Sequence, residues 1–273
     1  MHPPVPHSPL SAGIIVFGLN LARYLLIAGP PFVLLHWLTP QRVQSRRLGS
    51  EPVSLEQARR EFLYSVLSIA IFALVGVWMY LLTESGASRI YQDDRYGPVW
   101  FVLSVPVMLI LHDTYFYWTH RFMHWKPVFK RVHLLHHRSH DPSPLASFAF
   151  HPLEALIEAG IAPLIALTLP VHRSAFFLFL TLSMLINVYG HLGFELGPRG
   201  FMRSRLLAWL FNTTTHHHQH HQKTKWNFGL YFNVWDRLMG TNHPEYEATY
   251  EALTEGAQAD PESEEPAEQV AVL

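Results

Sequence analysis

Nineteen of the 273 residues are histidine and none is cysteine. Imidazole is neutral near pH 7 and offers a nitrogen lone pair, so clustered histidines in a thiol-free chain point to a transition metal bound through nitrogen. Most lie between His112 and His221 and come in groups. HRFMH supplies His120 and His124, HLLHH supplies His133, His136 and His137, YGHLGFE holds an isolated His191, and THHHQHH brings His216, His217, His218, His220 and His221. On a helix, positions three and four apart share a face with Cβ atoms roughly 5–6 Å apart. That spacing makes His120 and His124 a pair, and it puts His133, His136 and His137, and likewise His217, His220 and His221, on single faces as triads. Two triads, a pair and His191 exceed what one four- to six-coordinate ion uses, so the arithmetic favours two metals. His36, His172 and His243 read as interfacial or surface residues, and His2 and His7 as part of the terminus.

The missing motifs narrow the chemistry. HRFMH lacks the glutamate of the HExxH zinc-protease motif. No GxGxxG follows a strand, and there is no GxxxxGK[ST] and no CxxCH, so no nicotinamide, flavin, nucleotide or covalent haem site is visible. A redox enzyme built this way takes its electrons from outside. Twenty basic against twenty-one acidic residues leave no basic field for nucleic acid. Two other chemistries suit a histidine cluster: an intramembrane zinc hydrolase, which needs three ligands and one open position, and a non-catalytic metal-binding or transport protein.

The elements that must position these side chains are apolar helices. Residues 13–38, 62–82 and about 99–118 are each long enough to cross a bilayer, which takes about 20 apolar residues. The first carries Arg23 and a Gly29-Pro30-Pro31 break. The third ends on His112, Asp113, His120 and Arg121, and ionisable groups so placed face a cavity or the water interface. Residues 153–170 and 175–190 read as a shorter helical hairpin that dips into the membrane and returns. The fold expected is an all-α integral-membrane bundle of about three spans plus that hairpin, with N-terminal membrane helices and a basic loop (1–98), a histidine region (99–250) and a disordered acidic tail (251–273). Arg42, Arg46, Arg47, Arg59 and Arg60 mark the first loop as cytoplasmic, and Arg121, Lys126, Lys130, Arg131, Lys223 and Lys225 place the histidine regions on the same face.

In wording and order, DTYFYWTHRFMH, FKRVHLLHHRSHDPSPLASFAFHPLEA and NTTTHHHQHHQKTKWNFGLYFNVWDRLMGT resemble the fatty acid hydroxylase and sterol desaturase superfamily of membrane diiron oxygenases, most of all the sterol C-5 desaturases. The resemblance covers roughly residues 112–241. It implies that His120 and His124 are first-box ligands, His133, His136 and His137 the second, and His217, His220 and His221 the third. His216 matches the extra histidine before the third box, and His191 the isolated ligand of the hairpin; His112 and His218 are left out. It also implies two Fe2+ ions, O2 as co-substrate, a membrane lipid (sterol-like or fatty-acyl) that is hydroxylated or desaturated, and an external electron donor of cytochrome b5, ferredoxin or reductase type. The membrane is then a bacterial inner membrane or the endoplasmic reticulum. One position departs: Ala149 stands where the C-5 enzymes carry a histidine. Asp113, Glu154, Glu195 and Asp236 are candidate acceptors for the second ring nitrogen of the ligands, and Trp226, Asn227, Tyr231 and Trp235 a lid or docking surface.

Overall fold

The computed structural model describes residues 8–39 and 41–255. The chain runs through α1 (Pro9–Phe32), continued by a π-helical turn to Trp37, a short α2 (Gln41–Gln44), α3 (Leu55–Glu84), α4 (Gly97–Met123), α5 (Lys126–Val132) and α6 (Leu134–His137). It goes on through α7 (Pro152–Ala159), α8 (Ile161–Thr168), α9 (Arg173–Gly190), α10 (Arg205–Leu210), α11 (Thr214–Gln222), α12 (Val234–Leu238) and α13 (Tyr246–Glu255). Among the described residues four helices are long and apolar enough to cross a membrane: α1 with its π turn, α3, α4 and α9. Only 11% of the most apolar window of α1 and 17% of that of α3 are buried, so most of this apolar surface points outward, as it must against lipid.

The hairpin goes further than the sequence suggests. Its first arm breaks at Gly160 into α7 and α8, and its tip reaches the loop joining α3 to α4. There β2 (Val171–His172) pairs in parallel with β1 (Ile90–Tyr91). Around the pair, Arg89 N donates to Ala166 O at 2.7 Å and Trp100 Nε1 to Pro170 O at 2.6 Å. The hairpin therefore runs the full height of the bundle, and its return arm α9 is the fourth long helix.

Three apolar clusters hold the body together. Tyr24, Ala28 and Leu35 from α1 and its π turn pack with Ile69 of α3 and with Met184, Val188, Leu192 and Phe194, so α1 and α3 share a core with the histidine region. Val105 and Met108 of α4 meet Ile161, Ile165, Val171, Ala175 and Phe179 of the hairpin. Met202, Ala208, Tyr246 and Tyr250 form the third cluster. Close approach of α1 to α3 depends on a glycine: a Cβ at Gly76 would lie 2.8 Å from Val16 Cγ1. Helix α13 continues to Glu255, five residues into the stretch expected to be disordered, because Tyr246, Tyr250 and Thr254 recur at i, i+4, i+8 and are buried. The rest of the acidic tail, like His2 and His7, lies outside the described residues.

Candidate metal centre

Among the described residues nine imidazoles converge at one end of the bundle in two groups. His120, His124, His133, His137 and His220 form the first, and His136, His191, His217 and His221 the second; the ligand atoms within each lie within 4.8 Å of one another. The grouping follows helical spacing, though not as two triads. Each i, i+4 pair serves one group: His120 with His124, His133 with His137, and His217 with His221. His136 and His220 cross to the other group, because neighbours on a helix point in different directions and α6 is one turn long, with His133 at its cap. His136 beside His137 and His220 beside His221 therefore link the two groups.

The nitrogen atoms facing each other define what the groups can hold. His120 Nδ1 lies 2.9 Å from Phe228 O, His220 Nδ1 2.7 Å from Trp226 O, and His191 Nδ1 2.8 Å from Asn187 O. A carbonyl only accepts, so these Nδ1 atoms carry the hydrogen and their Nε2 atoms carry lone pairs. Yet His120 Nε2 is 3.0 Å from His133 Nε2, which is 3.1 Å from His137 Nε2, which is 3.1 Å from His220 Nε2. In the second group His217 Nε2 is 3.0 Å from His191 Nε2 and 3.1 Å from His221 Nε2. Lone pairs set tip to tip in a buried site repel unless a cation lies between them. Donors about 2.1 Å from one ion are roughly 3.0 Å apart at right angles and roughly 3.4 Å apart at the tetrahedral angle. The observed spacing fits two ions of higher than tetrahedral coordination.

Burial is the largest cause holding the ligands neutral. It lowers His137 to about 3 and His191 to about 4, and it drives His124, His133, His136, His217, His220 and His221 well below the ordinary imidazole range, with neighbouring imidazoles adding to the shift. All are therefore free to bind a metal at neutral pH. His124 is the one of the nine that is only partly buried.

Of the four carboxylates expected behind the ligands, Glu154 alone touches one: its Oε1 accepts from His133 Nδ1 at 2.6 Å. The others brace backbone. Asp236 accepts from Phe228 N (2.9 Å), Gly229 N (2.7 Å) and Thr241 Oγ1 (2.7 Å), fixing the loop whose Phe228 and Trp226 carbonyls orient His120 and His220. Asp113 accepts from Tyr231 N (2.8 Å) and Phe232 N (3.1 Å). Glu195 accepts from Thr215 N (3.0 Å) and Thr215 Oγ1 (2.7 Å), placing a negative charge at the N-terminus of α11, where the helix dipole favours it. Helix α11 is polar yet buried from Thr214 to His221.

His216 joins neither group. It points off the ligand face, and its Nε2 lies 3.3 Å from Asp236 Oδ2. His218 also stands apart, 3.3 Å from Asp141 Oδ1. Of the residues expected to form a lid or docking surface, Asn227 and Tyr231 are buried, while Trp226 and Trp235 are partly exposed, Trp235 stacking on Tyr117 and Trp226 meeting His243 edge-on. His36 is partly buried with Nε2 2.9 Å from Leu192 O, and His243 is buried. The functional atoms missed by sequence reasoning are backbone carbonyls, at Trp226, Phe228 and Asn187, which carry no side-chain signature. The segment 46–48 pairs with 193–195, through Leu48 N to Gly193 O (3.1 Å) and Glu195 N to Arg46 O (2.9 Å), and steadies the turn that carries His191.

The chain is 30% identical to lathosterol oxidase of Homo sapiens over 68% of its own length and 61% of the relative's. It is 31% identical to the Mus musculus lathosterol oxidase over 82% and 73%, and 27% identical to a Delta(7)-sterol 5(6)-desaturase of Gibberella zeae over 85% and 73%. No solved structure matches it significantly. The sequence profile of the fatty acid hydroxylase family matches residues 105–241, from the middle of α4 to the loop after α12, a stretch that contains all nine converging histidines. The chain belongs to the fatty acid hydroxylase family.

Proposed function

We infer that this protein is a membrane-bound oxidoreductase that holds two iron ions on its nine converging histidines and uses O2 to hydroxylate or desaturate a lipid. The observation that carries the reading is the two groups of inward-facing imidazole nitrogens, five and four, side by side. An all-imidazole shell leaves iron free to activate O2 against an unactivated C–H bond. The protein's own part is to fix each ring through its second nitrogen, to keep water out by burial, and to present the site to the apolar interior between α4 and α9. The names of the relatives favour a Δ7-sterol-like lipid and removal of two hydrogens.

Electrons come from a separate one-electron carrier, since the sequence has no flavin, nicotinamide or haem motif. The histidine end faces the cytoplasm on this reading: residues 46–48 of the arginine-bearing loop pack beside His191, so both share one end of the bundle. A zinc hydrolase would leave most of these ligands without a role. The test is product analysis of purified, iron-loaded protein supplied with a Δ7-sterol, O2 and a photoreduced ferredoxin. An O2-dependent sterol product, hydroxylated or carrying a new double bond, is expected; fully loaded protein that forms no such product contradicts the reading.

A further inference from the structure

Helix α3 has the length of a membrane span, yet its inward face starts polar. Its buried residues are Glu61, Ser65, Ser68, Ile69 and Ala73, and Glu61 is wholly shielded from solvent. A carboxyl group in such a place is costly unless it is bonded. Here it is bonded twice: Gln57 Nε2 donates to Glu61 Oε1 at 2.8 Å, and Ser143 Oγ donates to Glu61 Oε2. Both partners lead to one stretch of chain, residues 138–145, which leaves α6 directly after the ligands His136 and His137.

That stretch is clasped from two sides. From α3, the same Gln57 Nε2 donates to Asp141 O at 2.8 Å, Ser65 Oγ to Leu145 O at 2.8 Å and Arg60 Nη2 to Arg138 O at 3.3 Å. Tyr24 Oη of α1 adds a bond to Leu145 O at 2.9 Å. From α11, Gln222 Nε2 donates to Asp141 Oδ1 at 3.3 Å, and His218 Nε2 lies 3.3 Å from the same oxygen. The stretch thus ties α6, with His136 and His137, to α11, with His217, His220 and His221. Beyond it a 3-10 turn (Pro144–Phe148) leads to α7, where Glu154 orients His133. Ser143 caps that turn, its Oγ accepting from Leu145 N at 3.3 Å while it donates to Glu61. One carboxyl group therefore fixes both halves of the stretch: Asp141 through Gln57, and the start of the turn through Ser143. Helix α6 is only four residues long, too short to hold a direction by itself, so the chain that follows it has to.

We propose that Glu61 is a positioning residue of the metal centre: through Gln57 and Ser143 it sets the path of residues 138–145 and with it the directions of His136 and His137. The proposal rests on the reading that the histidines hold iron, and it extends the support of the centre to α3, outside the residues 105–241 that the family profile matches. The test is competition for iron between the purified protein in detergent and a chelator, well below the melting temperature of each variant, which is measured alongside. Glu61→Leu should hold iron about tenfold less tightly than wild type, the low end of what loss of an orienting partner costs. Glu61→Gln, of the same shape and still able to accept from Ser143, should restore most of that affinity. Ile165→Ala, a cavity in the apolar cluster between α4 and the hairpin, should melt lower yet hold iron as wild type does. If Glu61→Leu does not fold, Gln57→Leu and Ser143→Ala, which each remove one of the two bonds, should each weaken iron binding in the same assay. Wild-type affinity in the variants that fold, an equal loss in Ile165→Ala, or no rescue by Glu61→Gln overturns the role. The same pattern with a metal other than iron leaves the role standing and contradicts the two-iron centre, and a wild-type protein that holds no metal overturns both.

Discussion

A histidine whose Nδ1 hydrogen is held by a carbonyl has no choice about which nitrogen carries its lone pair, and the site's logic starts there. Replacing His217 by Ala should cost at least one metal per chain and abolish turnover, while His216→Ala, which removes a ring that lies against Asp236 and belongs to neither group, should keep both metals. Elemental analysis of the two proteins side by side decides it. Glu154→Gln should weaken metal binding about 10- to 100-fold without removing a ligand, as loss of an orienting partner does, and competition with a chelator reads this directly. Acid should strip the site. The folded imidazoles titrate far below their unfolded value near 6.5, so as pH falls below about 6.5 the unfolded, metal-free chain takes up protons that the folded one refuses. Stability and metal retention should be full above that value and decline steadily below it; retention unchanged down to pH 4 would contradict the assignment. At this scale the sequence named all nine converging histidines and added His216. Spacing alone did not separate the groups, because assignment of His136 and His220 depends on the one-turn length of α6 and on how α11 crosses it.

Among the elements, α11 shows most clearly what the surrounding structure supplies. A buried, polar, nine-residue helix has no apolar face of its own, and Glu195 at its start and Asp236 beneath the adjoining loop hold it in place. Asp236→Ala would leave two buried backbone N–H groups unpaired at about 1–3 kcal/mol each, enough to lower thermal stability and loosen His120 and His220 together. A variant with unchanged melting temperature and metal content would remove Asp236 from this role. Helix α13 gives a sharper contrast: ending the chain after Glu255 should leave metal content and activity largely intact, whereas ending it at Glu245 removes the buried Tyr246 and Tyr250 and should abolish both. The long apolar helices were legible because an uncharged run of bilayer length has few alternatives. The hairpin was only half legible: its apolar arms were visible, but their reach to the α3–α4 loop depends on pairing between Ile90–Tyr91 and Val171–His172, residues too few to leave a pattern.

The whole molecule joins an outward-facing apolar surface to a dry, lone-pair-rich interior. Nine imidazoles held without a metal would each cost about 1–3 kcal/mol, in sum on the order of 10 kcal/mol, comparable to the entire stability of an ordinary domain. Metal binding is thus expected to be part of folding. The topology is open to a clean check because the chain has no cysteine. Single cysteines at Gln92, in the α3–α4 loop, and Lys223, beside the histidine groups, should react with a membrane-impermeant maleimide from opposite sides, and labelling from the same side would contradict the bundle's orientation. The central claim is tested most directly by metal content per chain, measured by elemental analysis of protein purified in detergent from iron-replete cells. About two tightly held irons are predicted; a single zinc, or weak and mixed occupancy, would contradict the two-iron centre.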